Sequence, residues 1–201
     1  CLWCWSHAWP CALIMTELTD TIRQTQVLAA LFSPAFPIGA FAYSHGIEAA
    51  IASRDVNDAA TAHDWIKTIL LGGSGRNDAI LMANAYNAVT LHAARGGQLA
   101  GGRNAEIEAI NELAFALSPG AERAQESREL AMNFTRMTEK VYQLDIGLSP
   151  PLAYPVAAGL AARHLGCELQ LSLSFFLQSF ISNLISVSVR AVPLGQSDGQ
   201  I

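Results

Sequence analysis

Residues 122–142 read ERAQESRELAMNFTRMTEKVY, and their periodicity decides the fold class. Leu130, Phe134, Met137 and Val141 recur at steps of four, three and four, the spacing of one helical face. Glu122, Glu126, Arg136 and Lys140 fall off that seam and are expected to be solvated. Upstream, Ser118-Pro119-Gly120 closes a helix over 106–117. Downstream, the SPP run at 149–151 is a hard break, and Pro155 suits the first turn of a helix that ends at Gly166. The small-residue run VAAGLAA in that helix lets a neighbouring backbone approach closely. A last helix is expected over 167–191, ended by Pro193.

The amino-terminal half follows the same pattern. The spacing predicts helices over 17–32 and 41–53, with Ser33-Pro34 stopping the first. Asn57 or Asp58 caps a third, where Ala62, Trp65, Ile66, Ile69 and Leu70 share a face. The GGSG run at 72–75 breaks it, and a fourth helix covers 78–92. The stretch ARGGQLAGGRN reads as a loop or frayed helix end. Alternating β-branched runs are scarce and no internal repeat is visible. The expectation is an all-α single-domain helical bundle of about seven or eight helices.

Composition narrows the function classes. The chain has 201 residues, 51% hydrophobic and 14% charged, with a formal net charge of -5. That excludes a disordered or low-complexity chain. With no basic block, nucleic acid is a poor partner. Residues 169–189 carry no charge but hold six Ser, two Gln and one Asn, a polar load expensive in lipid. They are expected to form a core or interface helix rather than a membrane span. Residues 1–14 (CLWCWSHAWPCALI) hold three of the four Cys yet complete no standard zinc pattern. They read as an upstream extension before Met15, with 15–201 as the domain. The single remaining Cys167 builds no disulfide framework, which points to a cytoplasmic chain.

Catalytic and metal constellations are thin. Ser44 and His45 could suggest a nucleophile and base, with Glu48 three residues on. That is the alternative reading, an independent small-molecule hydrolase in this region. Adjacent helical residues point about 100° apart, however, and no G-x-S-x-G elbow is present. His45, His63, His92 and His164 show no metal-ligand spacing. The GGSGRND glycines lack the Lys-Ser/Thr of a phosphate loop. No catalytic residue, cofactor or metal ligand is therefore assigned.

Two stretches look unlike ordinary bundle sequence. Residues 33–48 read SPAFPIGAFAYSHGIE, where two prolines fix backbone angles, Gly39 frees one, and aromatics stand beside polar groups. That composition suits a protein–protein contact surface. Residues 189–200 read VRAVPLGQSDGQ. Arg190 is the only charge in a long apolar neighbourhood, so it is expected to need a partner, reach an interface, or tie its helix to the following turn.

At these motifs the sequence resembles the urease accessory protein UreF family, whose members carry SPxxPxGxxxYSxGxE-like and VRxxPLGQxxGQ-like motifs. YPVAAGLAARHLG and ERAQESRELAMNFTRM resemble intervening family segments. The likeness spans about 28–200; residues 1–14 have no counterpart, and family members usually continue beyond the position of Ile201 with more helix and a tail. The resemblance implies an all-α, homodimer-forming accessory protein without its own catalytic site. It implies assembly with a UreD/UreH-type accessory protein and the UreG GTPase on urease apoprotein, coupling GTPase state to nickel delivery. By position, Pro37, Gly39, Tyr43, Ser44, His45 and Glu48 are expected to form one partner surface, with Tyr43 as anchor. Arg190, Gly195, Gln196 and Asp198 form the second.

Overall fold

In the computed structural model, residues 8–39, 44–94, 105–144, 146 and 151–192 are described, with the side chains of 8–17 and 90–94 left aside. Eight helices occur among them: α1 Ala8–Leu31, α2 Ile47–Ala52, α3 Ala59–Gly72, α4 Ser74–Ala94, α5 Ala105–Ala116, α6 Ala121–Tyr142, α7 Tyr154–His164 and α8 Leu169–Ala191. No strand occurs among the described residues. The fold is all-α, as the periodicities predict. The expected breaks at 95–104, 149–150 and Pro193 lie outside the described residues.

Helix α7 is the centre. Every residue from Pro155 to Ala162 is buried, and α7 packs on α4, α5, α6 and α8. The small side chains permit this, most acutely at Gly159, where an added Cβ would collide with the Met82 carbonyl oxygen of α4. Around α7 lies an aromatic group. The Phe134 ring of α6 contacts Phe32, Phe36 and Tyr154, and the Phe176 ring of α8 contacts Phe32 and Tyr154. A second, smaller core joins α2, α3 and the end of α8 through Ile47, Val56, Ala62 and Val187.

Several boundaries differ from the sequence expectation, each for a local reason. Helix α1 begins at Ala8 rather than near 17; Pro10 falls in its first turn, where a missing N–H costs nothing. Helix α2 begins at Ile47 rather than 41, because His45 (φ 48°) and Gly46 (φ 80°) are both left-handed and cannot be helical. Only Gly73 separates α3 from α4, so the GGSG run is a kink of one residue rather than a loop. Of the two cap candidates for α3, Asp58 serves: its Oδ1 accepts from Thr61 N at 2.8 Å, and its own N–H donates back to Thr61 Oγ1 at 3.1 Å. Glu168 caps α8, its carboxylate accepting from Gln170 N and Leu171 N.

The seam of α6 also runs differently. Its buried residues are Glu126, Ser127, Leu130, Ala131, Phe134 and Thr138, a run in steps of four, whereas Val141 is 54% exposed. Glu126, expected in solvent, therefore belongs to the buried face. Helix α8 packs against α1, α2, α3, α4 and α7. It is long and apolar enough to cross a membrane by length and composition alone, and 28% of its most apolar window is buried. Ser172 and Ser188 are buried on it, and each hydroxyl donates to the backbone carbonyl four residues back. Intrahelical bonding thus relieves much of the cost of burying them.

Candidate functional site

Four ionisable side chains from three parts of the chain, His45 among them, meet at the turn before α2. Asp78 stands on the first turns of α4, Arg123 and Glu126 lie one turn apart on α6, and His45 sits in the turn before α2. Arg123 Nη2 donates to Asp78 Oδ2 at 2.5 Å, and its Nη1 is 2.9 Å from Glu126 Oε1. His45 Nε2 is 3.7 Å from the same Glu126 oxygen, and its Nδ1 is 3.4 Å from Ser74 Oγ. The imidazole also packs on the Phe180 ring of α8 at 4.7 Å. Side-chain exposures are 12% for Asp78, 15% for Arg123, 8% for Glu126 and 9% for His45.

Desolvation sets the charge states. Burial pushes Asp78 up to about 6, against the pull of Arg123. Glu126 is raised for the same first reason, again opposed by Arg123. Burial, helped by the nearby guanidinium, drives His45 down to about 4. At pH 7 the His45 imidazole is therefore neutral beside the Arg123 guanidinium. The contact between His45 and Glu126 is then no ion pair, and at 3.7 Å it exceeds hydrogen-bond reach.

The sequence motif is tied down around this cluster. Asn133 Nδ2 of α6 donates to the Ile38 carbonyl at 3.1 Å, and the left-handed Gly39 and Gly46 are compatible with the turns there. Pro37, Gly39 and Glu48 are exposed, Ser44 is half-buried, and the His45 side chain points inward. His45 thus turns to Glu126 and Ser74, away from the Glu48 pairing considered from spacing. Arg190 is exposed at the end of α8 and donates to Ser186 Oγ at 2.8 Å. It thus finds a partner on its own helix, and α8 carries it out to solvent. Tyr43, Gly195, Gln196 and Asp198 lie outside the described residues.

Asp78, Arg123 and Glu126 are the members that motif reading missed. One signal was present: Asp78 is the only Asp, Glu, Lys or Arg between 77 and 94, the same isolation that singled out Arg190.

The hydrolase alternative finds no support in this geometry. His45 faces Ser74 rather than Ser44, and both of its polar contacts exceed the 2.6–3.2 Å or so of a working nucleophile–base pair. The cavity beside it, about 40 Å³ between His45, Glu126, Tyr154 and Phe180, admits water but no substrate. Among the described residues, no group of three or more His, Cys, Asp or Glu is placed to hold a metal ion.

Fold and site together define an all-helical protein with a charge cluster buried between α4, α6 and the turn before α2. The chain belongs to the UreF family: residues 56–201 match the family's sequence model. It is 41% identical over 182 residues to the urease accessory protein UreF of Ruegeria pomeroyi, covering 90% of this chain and 76% of that one. A protein of the same name from Cereibacter sphaeroides is 44% identical over 168 residues, covering 84% and 71%. One from Methylorubrum populi is 40% identical over 188 residues, covering 90% and 78%.

Proposed function

We propose that this chain is a scaffold in urease maturation, without turnover of its own. It assembles in the cytoplasm, as a homodimer, with a UreD/UreH-type accessory protein and the UreG GTPase on urease apoprotein. There it couples the GTPase state to nickel delivery, with nickel as cargo rather than cofactor. The observation that carries this reading is the family membership, since the relatives are named urease accessory proteins. The two partner surfaces are Pro37, Gly39, Tyr43, Ser44, His45 and Glu48, and Arg190, Gly195, Gln196 and Asp198. Within the first, the His45 side chain points inward and packs on the Phe180 ring, while Pro37 and Glu48 face outward.

Urease activation by nickel tests the proposal, in cells lacking their own copy of this protein and supplied with the remaining accessory proteins. Restoration of urease activity by the chain supports it. Unchanged activity with and without a soluble chain contradicts it.

A further inference from the structure

The cavity of about 40 Å³ beside His45 takes its lining from the turn before α2 and from α4, α6, α7 and α8. None of its lining residues is exposed. An internal water needs roughly 10–15 Å³ of such space and two to four polar partners. The cavity meets the first condition, and the volume excludes any organic ligand.

Three features of the lining meet the second. His45 Nε2 and Glu126 Oε1 stand 3.7 Å apart, beyond direct hydrogen bonding and in the range where a bridging water is the natural link. On α8, the hydroxyls of Ser172, Ser174 and Ser188 each donate to the carbonyl four residues back. Among the described residues, the Ser179 hydroxyl makes no such bond, and Ser179 lines the cavity. Tyr154 lines it too. Burial, helped by nearby Asp78, holds its phenol well above the usual range, so the hydroxyl keeps its proton, and a buried phenol ordinarily finds a partner.

Charge favours a neutral occupant. Arg123 engages Asp78 and lies 2.9 Å from Glu126, so each charged group in the lining already has an opposite neighbour. We propose that this cavity is an internal hydration site, holding one ordered water bonded among His45 Nε2, the Glu126 carboxyl and the hydroxyls of Tyr154 and Ser179. Water both donates and accepts, so it serves Glu126 in either protonation state. It joins the turn before α2 to α6, α7 and α8. The site does not depend on the urease reading, because its test uses the chain alone.

The experiment is a crystal structure of the full chain at a resolution that shows ordered water, with a second crystal under xenon pressure. The expected result is one density peak within about 2.7–3.2 Å of at least two of the four named groups, and no xenon in the cavity. In solution, water oxygen-17 relaxation dispersion counts long-lived internal waters. Ser179→Val fills the site without a hydroxyl and should lower that count by one. Should that variant fail to fold, Tyr154→Phe keeps the ring and removes one partner, so the water should exchange faster. An empty cavity, xenon inside it, or a water count and exchange rate unchanged in a folded variant overturns the proposal. A peak that gives nickel anomalous signal after soaking would make the cavity a metal site and overturn it too.

Discussion

Arg123 Nη2 and Asp78 Oδ2 meet at 2.5 Å across the junction of α6 and α4, and the guanidinium is the one cation among the side chains lining the inner cavity. Its removal leaves Asp78 and Glu126 buried without compensation. Arg123→Met is therefore expected to cost about 3–5 kcal/mol. Adding Asp78→Leu and Glu126→Gln to that variant should recover most of the loss, since charge burial rather than lost packing causes it. Denaturant unfolding of the single and triple variants checks this. A triple variant as unstable as Arg123→Met would contradict the charge account.

The cluster also makes opposing contributions to acid stability. Asp78 has a folded pKa of about 6 against an ordinary 3.8. Across that interval the folded chain holds the extra proton, so this group's contribution falls as pH rises. Glu126 is shifted in the same direction. His45, lowered from 6.5 to about 4, does the reverse: the unfolded chain holds the proton, and stability rises with pH. His45→Gln removes the rising component. Between about pH 4 and 6 the variant should lose stability with rising pH more steeply than wild type, by up to about 1.4 kcal/mol per unit. Unfolding free energies measured across that window check it, and parallel profiles would contradict it.

Gly159 and Gly72 make a matched test of packing. A Cβ at Gly159 collides with the backbone of α4, whereas one at Gly72 meets nothing within 4 Å. Gly159→Ala should cost about 1–3 kcal/mol or more, because backbone must move. Gly72→Ala, at the end of α3, should be neutral or stabilising by up to about 1 kcal/mol. Thermal unfolding of the two variants separates them; similar losses would mean that α7 does not approach α4 this closely.

The Asp58–Thr61 capping box is a local test. Asp58→Ala should cost about 0.5–2 kcal/mol, and Asp58→Asn much less, because an amide oxygen still accepts from Thr61 N. Equal losses in the two variants, read by denaturant unfolding, would contradict the cap.

The fold class was legible because helix periodicity, proline stops and small-residue runs are local properties. The site was legible only in part. Pro37, Gly39 and His45 stand out by composition, but the partners of His45 come from α4 and α6, far along the chain. Glu126 was hidden by the choice of seam: steps of four, three and four through Val141 put it in water, while steps of four from Phe134 put it in the core. Asp78 followed a Gly-rich break and read as part of a helix start. Its isolation among apolar neighbours was the available clue, and only tertiary packing supplies Arg123. The left-handed backbone at His45 was equally hidden, because histidine carries no turn signal as plain as glycine's.

Co-expression of the chain with a UreD/UreH-type protein from the same source, followed by size exclusion with light scattering, tests the scaffold claim most directly. The account predicts one complex of defined mass, weakened by Tyr43→Ala. Separate elution of two soluble proteins, with full-length chain used throughout, would contradict it.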